Sequence, residues 1–327
     1  MQNFFSYRDP SVRLTGRWDV RSEAYCLTTN PGAYFEIAWK GSILELVFDL
    51  EHNEHPYPHI LIQTDGGAIQ ETSLDRRLRV FAPEGEHTCR VIYKSSTEAL
   101  SRWRNPVHNA LALCGYAAEG SGTLKPDNRK TVEFVGDSIT EGVLVDIDYA
   151  KAPACDIDEH NRAFQDDATA TYAWLAAEML DMRPYICGFG AVGLTRPGKG
   201  RVPAAPISYP FNYEGSPITH SCDVIVLNHG ANDRIHTEDE YIAKYGEMLK
   251  LLRKHNPNAV IISLSAFCGA FHERLGRFIA EYNAENGENI HFIDSTGWVP
   301  EVPLHPLRPG HRIIAEHLAA EMKKIIG

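Results

Sequence analysis

The chain has 327 residues, of which 43% are hydrophobic and 23% charged, an ordinary composition for a globular protein. This length exceeds what one hydrophobic core usually serves, so two domains are expected. The 43 acidic and 32 basic residues give a net charge of −11, which argues against a nucleic-acid or anionic-membrane partner and favours a neutral or small substrate.

The chain contains no targeting or membrane-spanning pattern. No apolar run reaches the length of about 18 residues that a transmembrane helix needs. Residues 1–6 show no charged segment followed by an apolar one, so they do not resemble a signal peptide. We therefore expect a cytoplasmic protein, or a secreted or periplasmic one whose signal was removed before this numbering begins.

The seven cysteines are scattered and form no Cys-x-x-Cys pair. Cys114, Cys187, Cys222 and Cys268 lie in or beside apolar runs. This placement favours buried free thiols over disulfides or a zinc site.

Residues from about 11 to 118 carry short β-type segments with no long helical pattern between them. The predicted strands are Ala33–Trp39, Ile43–Phe48, Ile60–Gln63, Leu78–Phe81, Thr88–Tyr93 and Leu111–Cys114. Turn-forming residues separate these segments, and short strands at this spacing are typical of a β-sandwich. We assign this first domain to residues 1–124.

A segment rich in Gly, Ser and Pro, residues 119–126, marks the boundary to a second domain at 125–327. Apolar strands alternate with helical patterns beyond it, which predicts a parallel sheet covered by helices on both faces. The predicted strands are Val132–Val135, Pro184–Cys187, Asp223–Leu227, Val260–Leu264 and His291–Ile293. The predicted helices are Thr169–Leu180, Tyr241–Arg253, Leu275–Glu285 and His311–Ile326.

Two long connections, residues 144–168 and 196–219, interrupt this alternation. Loops of this length are usually functional or disordered. The acidic residues of the first connection match no metal-ligand spacing, so we expect a solvated acidic loop and no metal site. These residues are Asp146, Asp148, Asp156, Asp158, Glu159, Asp166 and Asp167.

Ser138 follows the first strand of the predicted parallel sheet, after Gly136 and Asp137. Open α/β sheets bind their ligands at the carboxyl ends of the strands. A hydroxyl placed there, beside the N–H groups of a helix's first turn, is positioned to attack a carbonyl carbon. Taken alone, the Asp-Ser pair favours a simple helix cap over a nucleophile.

Further candidates follow the next two strands and precede the last helix. The Gly-rich segment 188–194 follows the second strand, whereas a dinucleotide site would need such a segment near the first. Asn232 follows the third strand, where its amide is placed to donate to an oxyanion or to serve as a turn residue. His305 lies in a loop outside any apolar periodicity, and we expect His311, at a helix start, to pack or cap.

This ordered set of Ser, Gly, Asn and His resembles the SGNH (GDSL-type) hydrolase superfamily over residues 131–327. The blocks are Gly136-Asp137-Ser138, Gly193, Gly230–Asp233 and His305-Pro306. The sandwich resembles that of the two-domain esterases of carbohydrate esterase family 2, in the segments Leu14–Asp19, Trp39–Ser42 and Tyr93-Lys94. Those enzymes join a jelly-roll to an SGNH domain and remove acetyl groups from plant-wall polysaccharides. The resemblance therefore implies a flavodoxin-like three-layer α/β domain after an all-β jelly-roll.

By that resemblance, Ser138 is the nucleophile and His305 is its general base. The oxyanion hole comprises the N–H groups of Ser138 and Gly193 and the side-chain amide of Asn232. The implied activity is removal of O-acetyl groups from a carbohydrate through an acyl-enzyme, without a cofactor.

One position departs from the superfamily pattern. The superfamily usually places an Asp three residues before the catalytic His, and Val302 stands there. Glu301, Asp294 or a backbone carbonyl is then expected to orient the imidazole.

Aromatic residues in the loops are candidates for stacking on sugar rings, the alternative being that they cover the domain interface. They are Tyr209, Phe211, Tyr213 and Trp298. Two other functions stay open. One is a lipase or thioesterase for longer acyl chains, and the other is a catalytically weak carbohydrate-binding protein, which Val302 favours. The expected partner is an acetylated carbohydrate, with no nucleic acid and no membrane.

Overall fold

A computed structural model describes residues 2–98, 100–148 and 162–327. Two antiparallel sheets form an N-terminal sandwich, and a parallel sheet with helices follows it. The sandwich strands end at Ser121 and the parallel sheet starts at Thr131, so the predicted boundary lies in the connection between them. The predicted fold class, a jelly-roll-type sandwich before a three-layer α/β domain, is confirmed.

Eleven strands of the described residues form the sandwich. They are β1 Asn3–Ser6, β2 Val12–Thr15, β3 Cys26–Thr28, β4 Tyr34–Lys40, β5 Ile43–Asp49, β6 His59–Thr64, β7 Ile69–Ser73, β8 Arg77–Phe81, β9 Glu86–Ser95, β10 Leu111–Ala118 and β11 Gly120–Ser121. One sheet has the order β1-β10-β5-β8 with β3 beside β10, and the other has β11-β4-β9-β6-β7 with β2 beside β4. Aromatic side chains fill the space between them, among them Phe35, Trp39, Phe48 and Tyr93.

The six strands predicted for the sandwich are β4, β5, β6, β8, β9 and β10. The structure adds five that the sequence analysis missed, which are short or lie at sheet edges. β7, for example, is an edge strand in which most side chains are exposed, so it lacks the apolar alternation that predicts a half-buried strand.

The second domain holds β12 Thr131–Gly136, β13 Arg183–Gly188, β14 Phe211–Tyr213, β15 Ser216–Pro217, β16 Val224–Asn228, β17 Val260–Leu264 and β18 His291–Ile293. The strands β13-β12-β16-β17-β18 form a parallel sheet in that order, and β14 and β15 form a separate hairpin. This is the flavodoxin-like strand order. All five parallel strands were predicted to within one residue at each end.

The helices are α1 Ser138–Glu141, α2 Arg162–Gln165, α3 Tyr172–Met179, α4 Ala205–Ser208, α5 Glu238–His255, α6 His272–Asn286 and α7 Arg308–Ile326. The long helices extend beyond the predicted spans because their first turns are polar and carry no apolar periodicity. α5 starts at a capping box in which Thr237 and Glu240 exchange hydrogen bonds. α3 starts later than predicted because Ala168–Ala170 forms a 3₁₀ turn and Thr171 caps the helix.

The helices bury their apolar faces against the two faces of the parallel sheet. On one face, α5 and α6 contribute Tyr245, Met248 and Leu275 to a buried cluster. On the other face, α3 and α7 contribute Tyr172 and Leu318. Among the described residues, no helix is both long and apolar enough to cross a membrane.

Two predictions about polar and thiol groups need correction. Cys187 and Cys222 are buried free thiols as predicted, but Cys114 and Cys268 are only half-buried. The acidic connection is not simply solvated. Asp166 accepts from Arg162 at 3.1 Å, and burial raises its pKa to about 7. Asp167 is also buried, at 2.7 Å from Arg308. Asp156, Asp158 and Glu159 lie outside the described residues.

A buried ion pair joins the two domains. Arg17 of the sandwich lies with its Nε 2.8 Å from Oε1 of Glu133 on β12, and neither side chain is exposed. Tyr209 donates its hydroxyl to Glu133 Oε2 at 2.8 Å, and its ring lies beneath the Arg17 guanidinium. Burial alone raises the pKa of Glu133, but Arg17 and His220 hold it well below its usual range. The pair therefore stays charged inside the protein.

Substituting Arg17 by Met should strongly destabilise the protein, because the Glu133 carboxylate stays buried without its main counter-charge. We expect the free energy of unfolding to fall by about 3–5 kcal/mol, as measured by urea denaturation. The control is Arg312→Met, which removes a cation from the exposed pair 3.3 Å from Glu316 and should cost less than about 1 kcal/mol. Equal losses in the two variants would contradict a buried charge at this interface.

Candidate active site

Local geometry places Ser138 at the carboxyl edge of the parallel sheet. β12 ends at Gly136, where a Cβ would lie 2.1 Å from Thr140 Oγ1 and 2.8 Å from the carbonyl oxygen of Asn228. Only glycine fits this approach. Asp137 then caps α1 by accepting the Ile139 N–H at 3.0 Å, which makes Ser138 the first residue of the helix.

Ser138 and His305 are in direct contact. The His305 Nε2 lies 2.9 Å from Ser138 Oγ, although 167 positions separate the residues in sequence. Burial lowers the pKa of His305 to about 4, with the charge of Glu98 acting to raise it and that of Arg162 to lower it further. The imidazole is therefore neutral near pH 7 and able to accept a proton from the serine hydroxyl.

Neither predicted carboxylate orients His305. Asp294 accepts from the N–H and hydroxyl of Thr296 and from Ser265, and its other oxygen lies 3.6 Å from His272. The Asp294 carboxylate therefore makes its hydrogen bonds within and beside the turn that follows β18. Glu301 is exposed and has no hydrogen bond or ion pair to His305 among the described residues. Both predictions are wrong: Asp294, proposed for its place at the end of the last strand, is used by its own turn, and Glu301, proposed for its nearness in sequence, points its carboxylate elsewhere than to the ring.

Glu98 of the sandwich is the negative group that acts on His305, and the sequence analysis missed it. Its side chain is buried, with Oε2 3.4 Å from Arg162 and 3.5 Å from Lys199. A Cβ at Gly190 would lie 1.5 Å from Glu98 Oε1, so a larger residue there would displace the Glu98 carboxylate. Nothing in the sequence signals this contact, because Glu98 belongs to the other domain.

Asn232 links three strand ends beside the nucleophile. Its Nδ2 donates to Asp137 Oδ2 and to the carbonyl of Val192, both at 3.1 Å. Asp137 is fully buried, and burial raises its pKa to about 7, with the charge of Asp233 acting in the same direction. Asn232 thus contacts the residue that precedes Ser138, and its amide hydrogens already have acceptors within the protein.

Gly193 also differs from its predicted role. Its N–H donates to the carbonyl of Arg196 at 3.1 Å, so it is not presented as a free oxyanion donor. What requires glycine at this position is Asp233, whose Oδ1 would lie 2.6 Å from a Cβ. The same oxygen accepts from the N–H of Thr195 at 2.8 Å and from its hydroxyl at 2.5 Å. Asp233 thereby hydrogen-bonds the loop after β13 to the segment after β16, which contains Asn232.

The aromatic candidates lie at the domain interface or against a helix. Tyr209 and Tyr213 are buried, the former on the Arg17 pair and the latter donating to Asp19 at 2.5 Å. The prediction that they stack on sugar is therefore wrong. Trp298 stacks on His317 of α7, with ring centroids 5.2 Å apart.

His311 packs and caps, as predicted. It is fully buried, and its Nδ1 accepts the Tyr172 N–H at 3.1 Å at the start of α3. The two rings also stack in parallel, with an interplanar angle of 2°. His311 thus helps to hold α7 against α3.

Comparison with known proteins identifies related sequences. A model of the GDSL-like lipase/acylhydrolase family matches residues 134–313, more than half of the chain. An acetylxylan esterase / glucomannan deacetylase from Cellvibrio japonicus (strain Ueda107) is 24% identical, over 81% of this chain and 75% of that protein.

Solved structures share the whole two-domain fold. A family two carbohydrate esterase from Cellvibrio japonicus superposes with a TM-score of 0.81 at 21% identity, covering 99% of this chain and 98% of that one. An acetyl xylan esterase from the rumen bacterium Butyrivibrio proteoclasticus gives 0.79 at 18% identity, covering 100% and 99%. A family two carbohydrate esterase from Clostridium thermocellum in complex with cellohexaose gives 0.76 at 18% identity, covering 97% and 99%.

The His305 imidazole should titrate far below an ordinary histidine. We expect a midpoint near pH 4 for its ring resonances in an NMR titration, because burial disfavours the charged form. His305→Gln assigns the resonance, and circular dichroism over the same pH range checks that the protein stays folded. A midpoint near 6.5, the ordinary value for histidine, would contradict the buried setting.

Proposed function

Because this chain belongs to the GDSL-like lipase/acylhydrolase family, we propose that it is a serine esterase that removes O-acetyl groups from a carbohydrate. The observation that carries the proposal is the 2.9 Å contact between Ser138 Oγ and His305 Nε2 at the carboxyl edge of the sheet. Similarity to the acetylxylan esterase / glucomannan deacetylase, over 81% of the chain, supports acetyl as the acyl group.

The proposed reaction proceeds in two steps. Ser138 Oγ attacks the acetyl carbonyl carbon while His305 takes the hydroxyl proton. Collapse of the tetrahedral intermediate breaks the bond to the sugar oxygen, which leaves as an alcohol with the proton from His305. A water molecule, deprotonated by the same imidazole, then attacks the acetyl-serine carbonyl carbon; the bond to Ser138 Oγ breaks, His305 returns the proton to that oxygen, and acetate is released. The low pKa of His305 keeps the base neutral through the whole neutral range.

Two donors are proposed to stabilise the oxyanion. One is the N–H of Ser138 at the start of α1, and the other is the amide of Asn232, which would exchange one of its internal acceptors for the substrate oxygen. Gly193 joins them only when its N–H leaves the Arg196 carbonyl. The oxyanion hole is therefore complete only when the Asn232 amide and the Gly193 N–H have exchanged internal acceptors for the substrate oxygen.

The charge beside the site supports a polar substrate. The buried Glu98 acts on His305 and contacts Arg162 and Lys199. A long acyl chain laid against these groups would desolvate them without providing hydrogen bonds, whereas sugar hydroxyls supply both donors and acceptors. We therefore favour an acetylated carbohydrate over a lipid or thioester, and the formed Ser–His contact favours an enzyme over a pure binding protein.

Hydrolysis of 4-nitrophenyl esters tests the proposal. We expect activity on the acetate that declines for the butyrate and octanoate, and a loss of about 10³-fold or more in Ser138→Ala and His305→Ala. Acetylated xylan and glucomannan then test the carbohydrate. A folded wild type without activity on any of these would rule the esterase out, and a preference for octanoate would favour the lipase alternative.

Asn232→Ala should lower kcat on 4-nitrophenyl acetate by about 10²–10³-fold, because one oxyanion donor is lost. The KM should change little, since the charge develops only in the transition state. Asn286→Ala, at an exposed position at the end of α6, is the matched control and should keep wild-type kcat. A small effect at Asn232, comparable to that control, would remove its amide from the proposed hole.

A further inference from the structure

The helix that carries the nucleophile cannot fix its own position. α1 contains only four residues, Ser138–Glu141, far fewer than the roughly 12–15 that a helix needs for marginal stability in isolation. Its place is therefore set by its contacts. Thr140 lies 2.8 Å from the hydroxyl of Tyr172, and a Cβ at Gly188 would lie 2.5 Å from the nitrogen of Glu141.

The last residue of α1 is held by the sandwich. Arg102, from the connection between β9 and β10, directs both Nη atoms at the Glu141 carboxylate. The Nη2–Oε2 distance is 3.1 Å, and Nη1 contacts Oε1. Both side chains are buried, so this two-pronged pair fixes the helix end in distance and in angle.

Arg102 also connects α1 to the loop after β13. Its Nη1 donates to Ser96 Oγ at 3.1 Å, and its backbone N–H donates to the carbonyl of Gly200 at 3.0 Å. The guanidinium lies over the ring of Phe189 at 5.3 Å. Arg102 of the sandwich thus contacts both α1, which carries the nucleophile, and the loop that contains Gly193.

Stability alone does not explain a buried pair of this kind. Two buried charges often contribute no more to stability than apolar side chains of similar volume. Burial raises the pKa of Glu141 and Arg102 opposes that rise, while Glu98 and Arg162 also act on the carboxylate. What apolar side chains could not reproduce is the directed, two-pronged contact.

We propose that Arg102 is a positioning residue that, through Glu141, holds α1 and the Ser138 hydroxyl in the orientation from which His305 accepts the proton. This inference rests on the proposed esterase function. The sandwich then contributes to catalysis, although none of its described residues hydrogen-bonds to Ser138 Oγ or His305 Nε2.

The test replaces the pair by apolar residues in Arg102→Met/Glu141→Leu, so that no uncompensated charge is left behind. We expect kcat on 4-nitrophenyl acetate to fall by about 10²-fold with KM within about twofold, while the thermal midpoint stays at or above that of the wild type. Arg102→Lys keeps the positive charge but loses the two-pronged contact, and its kcat should also fall. It serves as the test variant should the double variant not fold.

The matched control is Arg17→Met/Glu133→Leu, which removes the other buried Arg–Glu pair between the domains. That pair joins Arg17 of the sandwich to Glu133 on β12 and has no hydrogen bond or ion pair to α1 among the described residues, so kcat should stay within about twofold of wild type. Wild-type kcat in the Arg102 variants, or an equal loss in this control, would overturn the positioning role.

A second readout separates this inference from the proposed function. The rate at which a fluorophosphonate labels Ser138 reports the reactivity of the hydroxyl without requiring an acetyl ester, and it should fall with kcat in the Arg102 variants. If the wild type is labelled but hydrolyses no ester, the esterase proposal fails and the labelling rates decide the role of Arg102. Unchanged labelling in the variants, or no labelling of the wild type, would overturn it.

Discussion

Two carboxylates are buried where the two domains meet, and each is neutralised by an arginine of the other domain. Glu133 on β12 and Glu141 on α1 belong to the α/β domain, and each meets a guanidinium from the sandwich, Arg17 or Arg102. A carboxylate left alone in such a setting would carry a large desolvation cost. The sandwich therefore supplies the counter-charge for one carboxylate on the first strand of the parallel sheet and for another on the helix after it.

The sequence predicted the features that depend on local patterns of residues and missed those that depend on contacts between the two domains. The parallel strands were found to within one residue because both their faces are buried and the apolar runs are continuous. The order of short motifs singled out Ser138, Asn232 and His305, and the structure places His305 against Ser138. Glu98 and Arg102 were not, because they come from the other domain and carry no local pattern. Asp294 was a natural candidate by position, but the turn after β18 uses its carboxylate.

The chemistry of the site rests on groups whose charge is set by burial. His305 stays neutral down to about pH 4, so the base is ready over a wide range. Asp137, with a pKa near 7, changes charge close to neutrality and accepts from the amide of Asn232. Asp233 clamps the neighbouring loop through Thr195. The carboxylates of Asp137 and Asp233 thus hydrogen-bond the segments that follow three parallel strands to one another beside the Ser138 hydroxyl. These bonds restrict the movement of the segments relative to the nucleophile.

Two of the donors near Ser138 are already engaged with internal acceptors. The Asn232 amide donates to a carboxyl and a carbonyl, and the Gly193 N–H donates to the Arg196 carbonyl. An incoming anion has to displace these partners and gains only the difference between two hydrogen bonds. A neutral carbonyl oxygen gains little from that exchange, whereas an oxyanion makes stronger, charge-assisted hydrogen bonds and gains more. These internal acceptors therefore make the two donors selective for an oxygen that carries charge.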